Sequence, residues 1–153
     1  MKELFITILL LIFGTYIVKS QNPQRFKEDI EKFSKIEIPQ NEDLVVFTGS
    51  SSIRFWEDLK KDCHSVKVIN TGFGGSQMSD LLFYIDETVL RFEPVKVYIY
   101  EGDNDIFENK TPKSILKTTK KVVEKIHAYN SNCLLYTSPS PRDLSTSRMP
   151  SSA

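Results

Sequence analysis

Between residues 23 and 136, short apolar runs alternate with segments whose apolar positions recur every three or four residues. Leu44-Val45-Val46-Phe47, Val66-Lys67-Val68-Ile69 and Val95-Lys96-Val97-Tyr98-Ile99-Tyr100 are rich in β-branched and aromatic residues, and they predict three strands. The first is apolar throughout, as suits a strand buried on both faces. Phe26, Ile30 and Phe33 share one face of a helix predicted over 23–35 and starting near Pro23. A helix over 53–61 follows the first strand, and one carrying Leu81, Leu82, Ile85, Val89 and Leu90 follows the second. After the third strand, Thr111 as N-cap and Pro112 at the first helical position open another helix, with Ile115, Leu116, Val122, Val123 and Ile126 inward. Cys133-Leu134-Leu135-Tyr136 begins a fourth strand.

Strands alternating with helices imply parallel βαβ units with right-handed crossovers, hence an α/β fold. In an open parallel sheet, ligands bind outside the carboxyl ends of the strands. Three turns of small and polar residues stand there: Gly49-Ser50-Ser51-Ser52, Gly72-Phe73-Gly74-Gly75-Ser76 and Gly102-Asp103-Asn104-Asp105. They are expected to converge on one site.

Composition narrows the setting. At 153 residues, 40% hydrophobic and 26% charged, the chain has the size of one globular domain. Twenty basic residues balance twenty acidic ones, so no net field favours nucleic acid or an anionic membrane. Lys2, an apolar stretch from Leu4 to Val18, then Lys19 and Ser20 read as a signal peptide over 1–20, with Gln21 opening the mature chain. The expectation is export to a secreted or extracytoplasmic location, with no stable membrane partner after cleavage; the competing reading is an uncleaved anchor. Residues 21–136 form the domain. Residues 137–153 are rich in Ser and Pro and predict no packed element, either as a disordered tail or as read-through foreign to the protein. Cys63 and Cys133 are too few for a disulfide framework and read as isolated thiols.

Each turn has a chemical reading and a structural one. A serine between a buried strand and a helix stands where nucleophiles stand, although serine also caps helices. Consecutive glycines let a backbone approach a ligand and point amides at it, as an oxyanion hole requires, although they also make tight turns. An asparagine after a strand can donate its amide to an oxyanion, although Asx residues commonly form turns. Gly72-Phe73-Gly74 also begins like a dinucleotide fingerprint, but Gln77 stands where the third glycine belongs.

Taken together and in order, the three blocks resemble the SGNH hydrolase superfamily, the GDSL esterases and lipases, from about Leu44 to Tyr129. The stretch from Phe47 to Trp56 resembles the first block, with G-S-S-S-I-R in place of a G-D-S start. Ungapped, this resemblance puts the nucleophile at Ser51, with Ser50 standing where the family has aspartate. It places the oxyanion glycine at Gly75 and the oxyanion asparagine at Asn104. It implies a three-layer α/β/α, flavodoxin-like fold with a parallel sheet. The implied reaction is cleavage of a carboxylic ester, in a small molecule, a polysaccharide or a lipid, through a serine acyl-enzyme that needs no metal or organic cofactor.

The same resemblance implies a D-x-x-H block that supplies base and acid, and the 153 residues contain none. His64 falls before the second strand, at the wrong end for strand-end chemistry, and His127 lies within a helix. The expectation is a chain incomplete at its C-terminus and inactive as it stands. The alternative is a non-catalytic α/β module that binds a carbohydrate or phosphate in the same crevice.

Overall fold

The computed structural model describes residues 22–39 and 43–138; the expected signal peptide and nearly all of the Ser/Pro-rich tail lie outside them. Four parallel strands form one sheet in the order β2-β1-β3-β4: β1 Leu44–Gly49, β2 Lys67–Gly72, β3 Lys96–Tyr100 and β4 Leu134–Ser138. β1 is buried along its whole length, as its continuous apolar run requires. Its alternate residues feed two cores. Leu44 and Val46 join Ile69, Val97 and Ile99 on one face, beneath Phe73, Leu81, Ile85, Val122 and Ile126. Val45 and Phe47 join Val68 on the other, beneath Ile53 and Leu59. Helices therefore cover both faces, giving the three layers expected. Phe47, Tyr98 and Tyr136 pair in register across β1, β3 and β4, their rings stacked at 4.6 and 4.9 Å.

The helices are α1 Lys27–Ser34, α2 Ser51–Arg54, α3 Leu59–Asp62, α4 Met78–Phe83, α5 Ile85–Thr88, α6 Asp103–Phe107 and α7 Pro112–Tyr129. A short 3₁₀ turn, Pro23–Phe26, leads into α1. α7 begins as read: the Thr111 hydroxyl accepts from the Ser114 amide, Pro112 follows, and Ile115, Val122 and Ile126 are buried, whereas Leu116 is exposed.

Three elements depart from the sequence pattern. The helix expected over 53–61 is two short ones, α2 and α3. The Ile53 carbonyl, which a continuous helix would offer to residue 57, accepts the Trp56 amide at 3.1 Å and the Asn70 side-chain amide at 2.7 Å instead. The helix expected through Leu90 bends at Tyr84 and stops after Thr88, whose carbonyl accepts the Thr71 hydroxyl at 2.8 Å. β4 runs on through Thr137 and Ser138, because parallel pairing with Ile99 and Tyr100 satisfies their backbone whatever their side chains.

Candidate active site

Three of the strands end in turns that meet. Gly49 closes β1 at φ 137°, and a Cβ there would stand 2.0 Å from the Tyr100 carbonyl oxygen, so only glycine lets β1 pass that close to the end of β3. The chain then reverses at Ser50, whose amide donates to the Tyr100 carbonyl at 3.1 Å. The Ser50 carbonyl accepts from the Ile53 and Arg54 amides, which starts α2 with Ser51 as its first residue. Asn70 clamps this arrangement from β2: its amide holds the Ile53 carbonyl and its carbonyl accepts from the Gly72 amide at 2.9 Å.

Two donors from the other turns converge on the Ser50 hydroxyl. The Gly75 amide donates to its oxygen at 3.2 Å and the Asn104 side-chain amide at 2.6 Å. The second proton of that Asn104 amide goes to the Ser76 carbonyl at 2.7 Å, which fixes the plane of the group. Gly75 adopts φ 82°, and nothing lies within 4 Å of the position its Cβ would take. Gly75 is an exposed residue, and its amide shares the Ser50 oxygen with the fixed side-chain amide of Asn104 beside that open space. Two donors so arranged can receive a developing oxyanion.

All three residues singled out from the sequence, Ser51, Gly75 and Asn104, come to this one corner. Gly75 and Asn104 share an acceptor, and that acceptor is Ser50, the neighbour of Ser51. Ser50 is buried at 4% exposure, Ser51 is half-buried and Ser52 is exposed. Ser52 hydrogen-bonds the Tyr100 phenol; Ser51 is the one of the three whose hydroxyl makes no hydrogen bond among the described residues.

Two acids beneath the turns were not read as site residues. Glu101, 3% exposed, accepts from the Ser76 hydroxyl at 2.7 Å and from the Gly102 amide at 3.3 Å. Burial lifts its carboxyl from 4.5 to about 8, the nearby Asp105 and Asp80 adding to the rise against those two hydrogen bonds. Asp105, 1% exposed, accepts from the Met78 amide at 2.8 Å and pairs with Lys110 at 2.8 Å, tying the third turn to the start of α4. The signal was present in the sequence, since a charged residue directly after an apolar strand must find partners if buried.

Both histidines stand away from this corner. His64 is exposed, before β2, and His127 bonds the Cys133 carbonyl at 3.2 Å, before β4 begins. β4 is parallel to β1, so His127 lies at the amino end of the sheet, a strand length of roughly 16 Å along the strands from the carboxyl edge that carries the serines. Cys63 and Cys133 are both free thiols.

Solved structures repeat this arrangement of strands and helices. A Bacteroides fragilis protein designated an acylhydrolase superimposes with a TM-score of 0.63 at 24% identity, over 77% of this chain and 58% of that one. A GDSL-like lipase from Bacteroides thetaiotaomicron gives 0.61 at 20% identity, over 76% and 58%. AlinE4, an esterase of the SGNH-hydrolase family, gives 0.52 at 13% identity, over 65% and 59%. The fold is that of the SGNH hydrolases. The SGNH fold thus accounts for the parallel sheet with helices on both faces. The chain matches a little under three fifths of the length of these three structures. No protein-family model and no curated protein matches the sequence.

Proposed function

We propose that this protein is an exported serine ester hydrolase in which Ser51 attacks the ester carbonyl and the amides of Gly75 and Asn104, with that of Ser51 itself, receive the oxyanion. The observation that carries the reading is the convergence of the Gly75 and Asn104 donors on one oxygen, at 3.2 and 2.6 Å, directly beside Ser51. Ser51 is favoured over Ser50 on access: the Ser50 hydroxyl is buried and its backbone amide is spent on Tyr100, whereas Ser51 is half-open at the first position of α2. Each donor would contribute about 3 kcal/mol in the transition state. The substrate class is a carboxylic ester, with acetylated polysaccharides and lipids the natural candidates for an exported protein. A base and its orienting acid would come from a D-x-x-H segment beyond the 153 residues.

One observation favours a second reading, in which Ser50 is the nucleophile: its hydroxyl is the one the two donors hold. Labelling with a fluorophosphonate, in a chain completed to the length of the solved hydrolases, separates the two. Loss of labelling in Ser51→Ala with retention in Ser50→Ala and Ser52→Ala supports the first reading, and the converse supports the second. No labelling in any form leaves the crevice as a carbohydrate- or phosphate-binding site without chemistry. N-terminal sequencing of the exported protein tests the export reading, for which Gln21 is the expected first residue.

A further inference from the structure

The oxyanion donors rest on a buried side-chain relay. From the Ser50 oxygen it passes to the Asn104 amide at 2.6 Å, to the Ser76 carbonyl at 2.7 Å, and from the Ser76 hydroxyl to Glu101 at 2.7 Å. Ser76 is fully buried, Glu101 is 3% exposed and both oxygens of Glu101 are engaged. An amide side chain can rotate about its last bond, and what sets that rotation in Asn104 is the position of the Ser76 carbonyl. What sets Ser76, beyond its own backbone, is Glu101. The adjoining Gly75 amide belongs to the same turn and moves with it.

We propose that Glu101 is a positioning residue for the oxyanion hole, aiming the Asn104 and Gly75 donors through the Ser76 hydroxyl and carbonyl. The proposal rests on the ester-hydrolase reading for the purpose of the hole, while the relay itself is independent of any reaction. Glu101 makes no hydrogen bond to Ser51, Gly75 or Asn104 among the described residues; one of its oxygens reaches the hole through Ser76, and the other holds the Gly102 amide within its own turn.

The relay has a protonation state to follow. The carboxyl of Glu101 ionises near pH 8 because burial opposes its charge. The charged groups around it are Asp105, paired with Lys110 at 2.8 Å, and Asp80, paired with Arg25 at 2.7 Å. Below pH 8 the carboxyl is neutral and can both donate and accept; above it, the carboxylate accepts only and draws the Ser76 hydroxyl toward it. The hole should therefore shift slightly as Glu101 ionises.

Proton and nitrogen NMR of the ¹⁵N-labelled protein reads this without any substrate. The side-chain signals of Asn104 and the backbone signal of Gly75 are followed from about pH 6 to about pH 10. Both are expected to titrate together with a midpoint near 8, to become pH-independent in Glu101→Gln, and to lose the titration in Ser76→Ala, where Glu101 remains but the link is cut. The Gln variant keeps the shape and an acceptor for Ser76, and it isolates Glu101 from Asp80 and Asp105. Signals that do not titrate in the unaltered protein overturn the proposal, and so does a titration that survives either substitution. Should Glu101→Gln fail to fold, Ser76→Ala decides by itself. Failure of ester cleavage with an intact titration would count against the hydrolase reading and leave the relay standing.

Discussion

The side-chain amide of Asn104 lies 2.6 Å from the hydroxyl of Ser50, 54 residues earlier in the chain, and its other proton is held by the Ser76 carbonyl at 2.7 Å. Two acceptors from two different turns use up both protons of one amide. That is a more restrictive arrangement than a loop asparagine needs for its own turn. It makes Asn104 the residue that locks the three strand-end turns to one another.

Removing this amide should separate chemistry from binding. In a chain completed with its base and acid, Asn104→Ala is expected to lower turnover of a simple aryl ester by about 10²- to 10³-fold, the effect of losing one oxyanion donor. KM should change much less. Steady-state kinetics on the purified variant checks both, and an unchanged turnover number would reduce Asn104 to a structural clamp.

Folding stability should fall as pH rises from about 4.5 to about 8. Across that window Glu101 is protonated in the folded protein and ionised in the unfolded chain. The native state then binds more protons, so stability decreases with rising pH, by up to about 1.4 kcal/mol per unit for this one group. Below the window both states are protonated and above it both are ionised, so this contribution levels off at each end. Asp80, also raised chiefly by burial, acts in the same direction. Urea midpoints measured across the range should show the decline, and Glu101→Gln should flatten most of it.

Two glycines of the site should respond differently to alanine. At Gly49 a methyl would stand 2.0 Å from the Tyr100 carbonyl oxygen and 2.7 Å from its carbonyl carbon, rigid backbone that cannot give way, with φ at 137°, so Gly49→Ala should cost several kcal/mol and prevent folding in a marginal background. At Gly75 nothing lies within 4 Å and only the φ of 82° is unfavourable, so Gly75→Ala should cost about 1–2 kcal/mol. Chemical denaturation of the two variants side by side tests the contrast. Equal losses would mean that space at Gly49 is not what limits it.

β4 should govern solubility. Among the described residues it ends the sheet, and Leu134 and Tyr136 are each about half exposed on it, at 53% and 51%. An open strand edge with apolar side chains invites pairing with another chain. Tyr136→Lys should reduce concentration-dependent association seen by light scattering, and no change would place the association elsewhere.

The order of strands and helices could be read from the sequence because each element carries its own local reason. β1, β2 and β3 are short β-branched or aromatic runs, and α7 has a threonine cap, a proline and an apolar stripe. The resemblance of the three strand-end blocks also fixed the fold class, which the solved structures share. Breaks within helices were not legible: nothing in 53–61 says that Asn70, on another strand, will take the Ile53 carbonyl. The same holds for Thr71 and the end of α5.

For the site, the sequence by itself determined which residues could act: serines after β1, glycines after β2 and an asparagine after β3, all at the carboxyl edge of a parallel sheet. Only the tertiary structure decided which hydroxyl the donors hold, Ser50 rather than its neighbour, and that Glu101 stands beneath them. The reason is physical. Strand and helix propensities act over a few residues, whereas a hydrogen bond across 54 positions or a carboxyl pushed up to about 8 exists only once packing has excluded water and brought distant groups together.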